Sequence, residues 1–234
     1  MQPTQFTLPV TLPEDETLDS FYSSTAHPAV DYIRHYLAEP AGKAPLYLFG
    51  ASGCGKSHLL YAACVQAQEM GLTSQLLALE HVQQLDARVL DDLEHLDLVC
   101  LDNIQAIAGD LSWQTAVFDL YNRMAEQGKC LIIVANEPPM QLGFRLADLV
   151  SRLQACTSFQ LRLLSDSEKQ RLLQLKAHVR GIELPSEVAR YLLNRQQRDI
   201  RALVAILDQL DQASIVHQRK ITIPFVKTVL ADDD

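Results

Sequence analysis

The run Gly50-Ala51-Ser52-Gly53-Cys54-Gly55-Lys56-Ser57 constrains the fold of this 234-residue chain more than any other stretch. Leu46-Tyr47-Leu48-Phe49 leads into it and reads as a short buried strand, and His58 to Met70 reads as a helix leading out. Glycines let the backbone between them curl with its N–H groups pointing inward, and the helix N-terminus adds positive potential at the same point. Such a cradle suits phosphate groups. The spacing G-x-x-x-x-G-K-S assigns Lys56 to the β- and γ-phosphates and the Ser57 hydroxyl to Mg²⁺. An ordinary glycine-rich turn is the alternative, and the strand–loop–helix context weighs against it.

Further apolar runs follow at Gln75–Leu79, Leu98–Leu101, Leu131–Val134 and, more weakly, Ser158–Leu161, alternating with longer amphipathic stretches. Runs this apolar suit strands buried on both faces, with helices as the crossovers, so a five-stranded parallel α/β sheet is expected. His27-Pro28 opens a helix before the first strand, and Glu39-Pro40-Ala41-Gly42 ends it. From Ser165 the pattern is helical only. Ser165-Asp166-Ser167-Glu168 is a capping box whose helix runs to Val179 before Gly181, and helices over about 186–196, 198–216 and from Thr222 follow. The expected organisation is an extended arm over 1–14, a nucleotide-binding α/β domain over 15–163, and a small all-α lid over 164–234.

Charge separates the two domains. Residues 1–160 carry a balance of −11 and residues 161–234 one of +2, for a net −9. An acidic chain has little general attraction for nucleic-acid phosphates, so DNA contact is expected to be indirect or weak. The helical half keeps either a basic contact face or a merely solvated one. Five scattered cysteines without a Cys-x-x-Cys pair read as reduced thiols, and with no signal core or bilayer-length apolar run the expected location is the cytoplasm, with no membrane contact.

Leu98-Val99-Cys100-Leu101-Asp102 reads as a buried strand ending in a carboxylate, which places Asp102 on the hydration shell of Mg²⁺. Asn103 follows. A neutral amide cannot accept a proton from attacking water, so hydrolysis of the chain's own nucleotide should be slow unless another acid is supplied. Whether the chain is an enzyme in its own right is therefore doubtful. Asn136, just past the fourth strand, either touches the γ-phosphate or its water, or simply forms the turn before Glu137-Pro138-Pro139.

In order, these features resemble an AAA+ ATPase, and the local wording resembles the DnaA/Hda family. The carriers are Gly55-Lys56-Ser57-His58-Leu59-Leu60, Asp102-Asn103-Ile104-Gln105-Ala106-Ile107-Ala108-Gly109, Ser151-Arg152-Leu153 and Gly181-Ile182-Glu183-Leu184-Pro185-Ser186-Glu187-Val188. The likeness covers about residues 12–231. A helix-turn-helix DNA-reading domain, which initiators of the family add, is not expected after Asp232-Asp233-Asp234. The regulatory branch of the family, which inactivates DnaA, is the better match through Phe118–Arg123 and Ile221–Lys227.

By that resemblance the cofactor is ADP or ATP with Mg²⁺, the family working with ADP bound, and Gly50 to His58 form the nucleotide loop. Phe21 and Tyr22, with Leu18, lie near the base or act as ordinary packing. Arg201 takes the lid position that touches the chain's own phosphates, where Arg198 could substitute. Arg152 takes the arginine-finger position, reaching a neighbour's γ-phosphate, or else makes a local ion pair. The neighbour is DnaA. Gln5, Phe6, Leu8 and Pro9 stand where the branch carries its sliding-clamp motif, and an extended glutamine-plus-apolar segment can lie in an apolar groove. A DNA-handling initiator or helicase loader of the same type, and a free-standing small-molecule kinase, are the competing readings. Assembly with further copies of the chain stays open.

Overall fold

The computed structural model describes residues 17–21, 27–195, 200–217 and 221–231. Five strands form one parallel sheet: β1 (Leu46–Phe49), β2 (Ser74–Ala78), β3 (Leu98–Asp102), β4 (Cys130–Ala135) and β5 (Thr157–Gln160). Their order is β2-β3-β4-β1-β5. Register is set by pairs such as Leu48↔Val134, Leu46↔Thr157, Ala78↔Asp102 and Cys100↔Ile132.

The apolar runs alternate by parity. Leu46, Leu48, Leu98, Cys100, Ile132 and Val134 face one core, shared with α1 (Pro28–Ala38) and α2 (Lys56–Glu69). Tyr47, Val99, Leu101, Leu131, Ile133 and Ala135 face the other, shared with α3 (Leu111–Glu126) and α4 (Ala147–Gln154). Strands covered on both faces must be apolar at every position, which is why they read as continuous runs. Edge strand β5 is half exposed and accordingly the weakest run.

One connection differs from expectation. Between β2 and β3 the chain forms three 3₁₀ helices, Leu79–Gln84, Ala87–Leu90 and Leu93–His95, in place of a crossover α-helix. Asp86 caps the second through the Arg88 N–H, and Asp92 adopts φ 63°, so each aspartate restarts the backbone after a turn. β2 and β3 are also neighbours in the sheet, and a short path suffices to join them.

The chain divides between Leu161 and Arg162. The second unit holds α5 (Asp166–Val179), α6 (Ser186–Arg195), α7 (Ile200–His217) and α8 (Ile223–Ala231) around Leu173, Val188, Leu192, Leu207 and Val226. Its capping box forms as read: the Glu168 carboxylate accepts the Ser165 N–H at 2.8 Å while the Ser165 hydroxyl accepts the Glu168 N–H at 3.4 Å. Arg162 grips the same carboxylate through two N–H groups at 2.9 and 2.6 Å. All five cysteines are free and buried, and no helix among the described residues is long and apolar enough to cross a membrane.

Candidate functional site

The glycine-rich run joins the C-terminal end of β1 to the first turn of α2. Two of its glycines are obligatory for reasons of space. A side chain on Gly50 would overlap the Leu161 carbonyl oxygen, and the Gly50 N–H donates to the Ala135 carbonyl at 3.3 Å. Gly55 has φ 94°, and a Cβ there would lie 2.8 Å from the Phe21 ring. Lys56 is buried and folds back along the loop, where Nζ donates to the carbonyls of Gly50 (2.7 Å) and Ala51 (2.9 Å). Cys54 lies 3.8 Å from that ammonium; burial still raises its thiol above the usual range, with Lys56 pulling it back in part. Ala51, Ser52 and Gly53 are exposed at the rim.

Ser57 at the start of α2 donates its hydroxyl to Asp102 Oδ2 at 2.8 Å, and the Asn103 N–H donates to Oδ1 at 2.9 Å. Asp102 is buried at the end of β3. A hydroxyl and a carboxylate side by side are the hard oxygen donors that Mg²⁺ takes while keeping most of its waters, so this pair fits that ion. Strand order explains the convergence. β4 lies between β1 and β3, so the loop, Asn136 and Asp102 emerge at neighbouring strand ends.

A string of polar groups runs along that edge. Asn103 has φ 58°, a conformation asparagine tolerates, and its amide donates to Glu80 Oε2 at 3.3 Å. Its carbonyl accepts from Gln105 Nε2 at 3.1 Å, and Gln105 Oε1 in turn accepts the backbone N–H of Asn136 at 3.3 Å. The Asn136 residue itself is exposed. Glu80 and Gln105 were not legible as site residues from the sequence. Glu80 carries no motif, and only the pairing of β2 with β3 brings it beside Asn103.

The turn Thr17–Phe21 lies against the loop and α2. Leu18 is buried, and the Phe21 ring packs on Gly55 with centroid distances of 5.5 Å to His58 and 5.7 Å to His27. His58 Nε2 lies 3.1 Å from the Thr17 carbonyl, so this imidazole fastens the turn to α2. Tyr22 lies outside the described residues, as do Gln5, Phe6, Leu8, Pro9 and Arg198. Arg201 is on α7, and its side chain lies outside them too.

Arg152 is exposed on α4, whose buried anchors are Leu149 and Leu153. Among the described residues it makes no ion pair. Its guanidinium instead lies over the Phe118 ring at 6.0 Å and the Tyr121 ring at 5.8 Å, both on α3. Burial pushes the Tyr121 hydroxyl up to about 12, with the Arg152 charge pulling it back in part.

The profile of the bacterial DnaA ATPase domain matches residues 12–160, and that of the Hda lid domain matches residues 166–230. Among solved structures, domain III of the replication initiation protein DnaA from Thermotoga maritima superposes with a TM-score of 0.76. It is 21% identical, over 94% of this chain and 98% of that one. AMPPCP-bound DnaA from Aquifex aeolicus gives 0.71 at 23% identity, over 87% of this chain and 67% of that one. The RuvB Holliday junction branch migration motor of Thermotoga maritima gives 0.64 at 14%, over 94% and 72%. At such identities the superpositions establish a shared AAA+ fold, and the profiles establish kinship. Because the first profile alone spans more than half of the sequence, the chain belongs to the bacterial DnaA ATPase family, as an Hda/DnaA-like AAA+ protein.

Proposed function

We propose that this chain is a regulator of replication initiation that holds ADP with Mg²⁺ and supplies Arg152 in trans to ATP bound by DnaA. Lys56 and the N–H groups of the loop hold the phosphates, Ser57 and Asp102 hold the ion, and Phe21 borders the base. Gln5, Phe6, Leu8 and Pro9 tether the chain to the sliding clamp, and Arg201 follows the chain's own phosphates from the lid.

The observation that carries this reading is the state of Arg152. A guanidinium without a carboxylate partner among the described residues, exposed and lying over two aromatic rings, is held in place yet keeps its donors available. An arginine finger needs both properties, since it adds charge to a transferring phosphoryl group on another subunit. Asn103 agrees independently. Where a carboxylate would activate water for the chain's own nucleotide, there is an amide.

The test is ATP hydrolysis by DnaA in the presence of this protein, ADP and a DNA-loaded clamp. Wild type is expected to accelerate hydrolysis, and Arg152→Ala to lose about 10³-fold or more of that acceleration while still binding the clamp. Equal acceleration by both proteins rules out the finger. Absence of acceleration by either rules out the regulator and turns attention to DNA affinity and its salt dependence.

A further inference from the structure

The side-chain amide of Gln114 is wholly buried on α3. Its Nε2 donates to the carbonyls of Ile107 (3.0 Å) and Ala108 (2.9 Å). Its Oε1 accepts the backbone N–H groups of Arg145 (2.9 Å) and Leu146 (3.0 Å). An amide offers two donor hydrogens and two acceptor lone pairs, so every one is in use. One end holds the turn that follows Asp102 and Asn103, and the other holds the two residues that enter α4. Removing the amide takes a partner from the Ala108 carbonyl and from the Arg145 and Leu146 N–H groups, while the Ile107 carbonyl keeps the Asp110 N–H, so the four bonds together set one placement of the amide.

α4 depends on such a fastening. It has only eight residues, its N-cap Leu146 provides no side-chain cap, and two buried leucines anchor it. A helix this short has little stability of its own. Arg152 stands immediately before the second anchor, Leu153, so rotation or slippage of α4 moves the guanidinium directly.

We infer that Gln114 is a positioning residue for Arg152, fixing the entry of α4 against α3 and against the turn behind Asp102. The inference rests on the arginine-finger reading above. A displacement of about 1 Å at a reacting group lowers rates by about a hundredfold, so a loosened α4 forfeits most of what the finger contributes.

Two variants of the full chain, loaded with ADP and assayed with the clamp, test this. Gln114→Met keeps the length and removes all four hydrogen bonds. Gln114→Glu, neutral at this buried position, keeps acceptors for Arg145 and Leu146 and retains one O–H donor for the Ile107 and Ala108 carbonyls in place of two N–H donors. Amide hydrogen exchange over 145–154 reads the fastening, and DnaA ATP hydrolysis against protein concentration reads its consequence. In Gln114→Met, exchange is expected to speed up at Arg145, Leu146 and along α4. Maximal acceleration should fall about ten- to a hundredfold, while half-saturation and ADP affinity stay within about twofold. Gln114→Glu should fall between the two and carries the test alone if Gln114→Met does not fold. Faster exchange with undiminished acceleration overturns the inference, and so does a loss of acceleration matched by an equal loss of ADP affinity. If wild type itself gives no acceleration, the regulatory reading has failed first, and the exchange data alone show whether Gln114 holds α4.

Discussion

The contact between Phe21 and the phosphate loop makes a quantitative prediction through Gly55→Ala. At φ 94° an alanine carries about 1–2 kcal/mol of backbone strain. Its Cβ would stand 2.8 Å from Phe21 Cε2, closer than real Cβ atoms come, so the ring must move. Moving it weakens contacts with His58 and His27 at about 0.5–1.5 kcal/mol. Both terms fall on a backbone that has to keep its shape to bind phosphate, so about 1.5–3.5 kcal/mol appears as ADP affinity about 10- to 400-fold weaker. A double-mutant cycle separates them. In a Phe21→Ala background the ring is gone and Gly55→Ala should cost only the strain, leaving a coupling of about 0.5–1.5 kcal/mol. The assay is titration with a fluorescent ADP analogue at fixed Mg²⁺, with thermal unfolding of all four proteins as the control for folding. A coupling below about 0.3 kcal/mol would show that the ring does not press on the loop. Undiminished affinity in Gly55→Ala would refute the loop geometry itself.

Asn103→Asp restores a carboxylate after Asp102 and should raise the chain's own single-turnover ATP hydrolysis by about tenfold or more. The gain should be larger in a Glu80→Gln background, because Glu80 lies 3.3 Å from the Asn103 amide and two carboxylates that close resist joint ionisation; no gain in either background excludes position 103 as the limit on turnover. Asp97 is held down to about 2 by Lys129 and then by hydrogen bonds from Thr73, tying the start of β3 to the starts of β2 and β4. With the folded value depressed, its stabilisation is present above the unfolded value of 3.8 and is lost as pH falls through about 2. The pair is about one-third exposed, so screening limits the effect. Asp97→Asn should lower urea stability by about 1 kcal/mol at neutral pH, with the difference from wild type closing as pH falls from about 4 to 2; a constant difference refutes the linkage.

What the sequence made legible was local. The glycine loop, the carboxylate ending a buried run at Asp102 and the capping box at Ser165 each depend on residues a few positions apart, and each appears where it was read. What it concealed depends on which strands and helices become neighbours. Glu80 looked like any surface acid until β2 paired with β3. The stretch after Leu79 looked like a crossover helix, although its aspartates turn the backbone repeatedly and the path it spans is short. Gln114 is a polar residue on an amphipathic helix, and only the loops folding onto it from both sides convert it into a fully engaged buried amide. For Arg152 the sequence left a local ion pair as an alternative, which needed an acid on the adjacent helix face; the face holds Phe118 and Tyr121 instead.

On the proposed reading, holding a nucleotide and hydrolysing one are divided between different parts of the same sheet edge. Lys56, Ser57 and Asp102 are buried or half-buried, with hydrogen bonds of 2.7–2.9 Å to one another or to the loop. The position that would activate water is instead an amide, joined by longer contacts of 3.1–3.3 Å to Glu80 and Gln105. A site firm in its grip and weak in its base keeps what it binds, and a retained nucleotide stabilises the α/β unit by an amount that grows with the logarithm of its concentration over its dissociation constant. α3 faces the opposite side of the sheet from α2, and it supports Arg152 through two rings and steadies α4 through one amide. A regulator that acts on a partner's ATP gains from this separation: its own nucleotide can remain in place as structure while the arginine, on a different helix pair, meets another subunit.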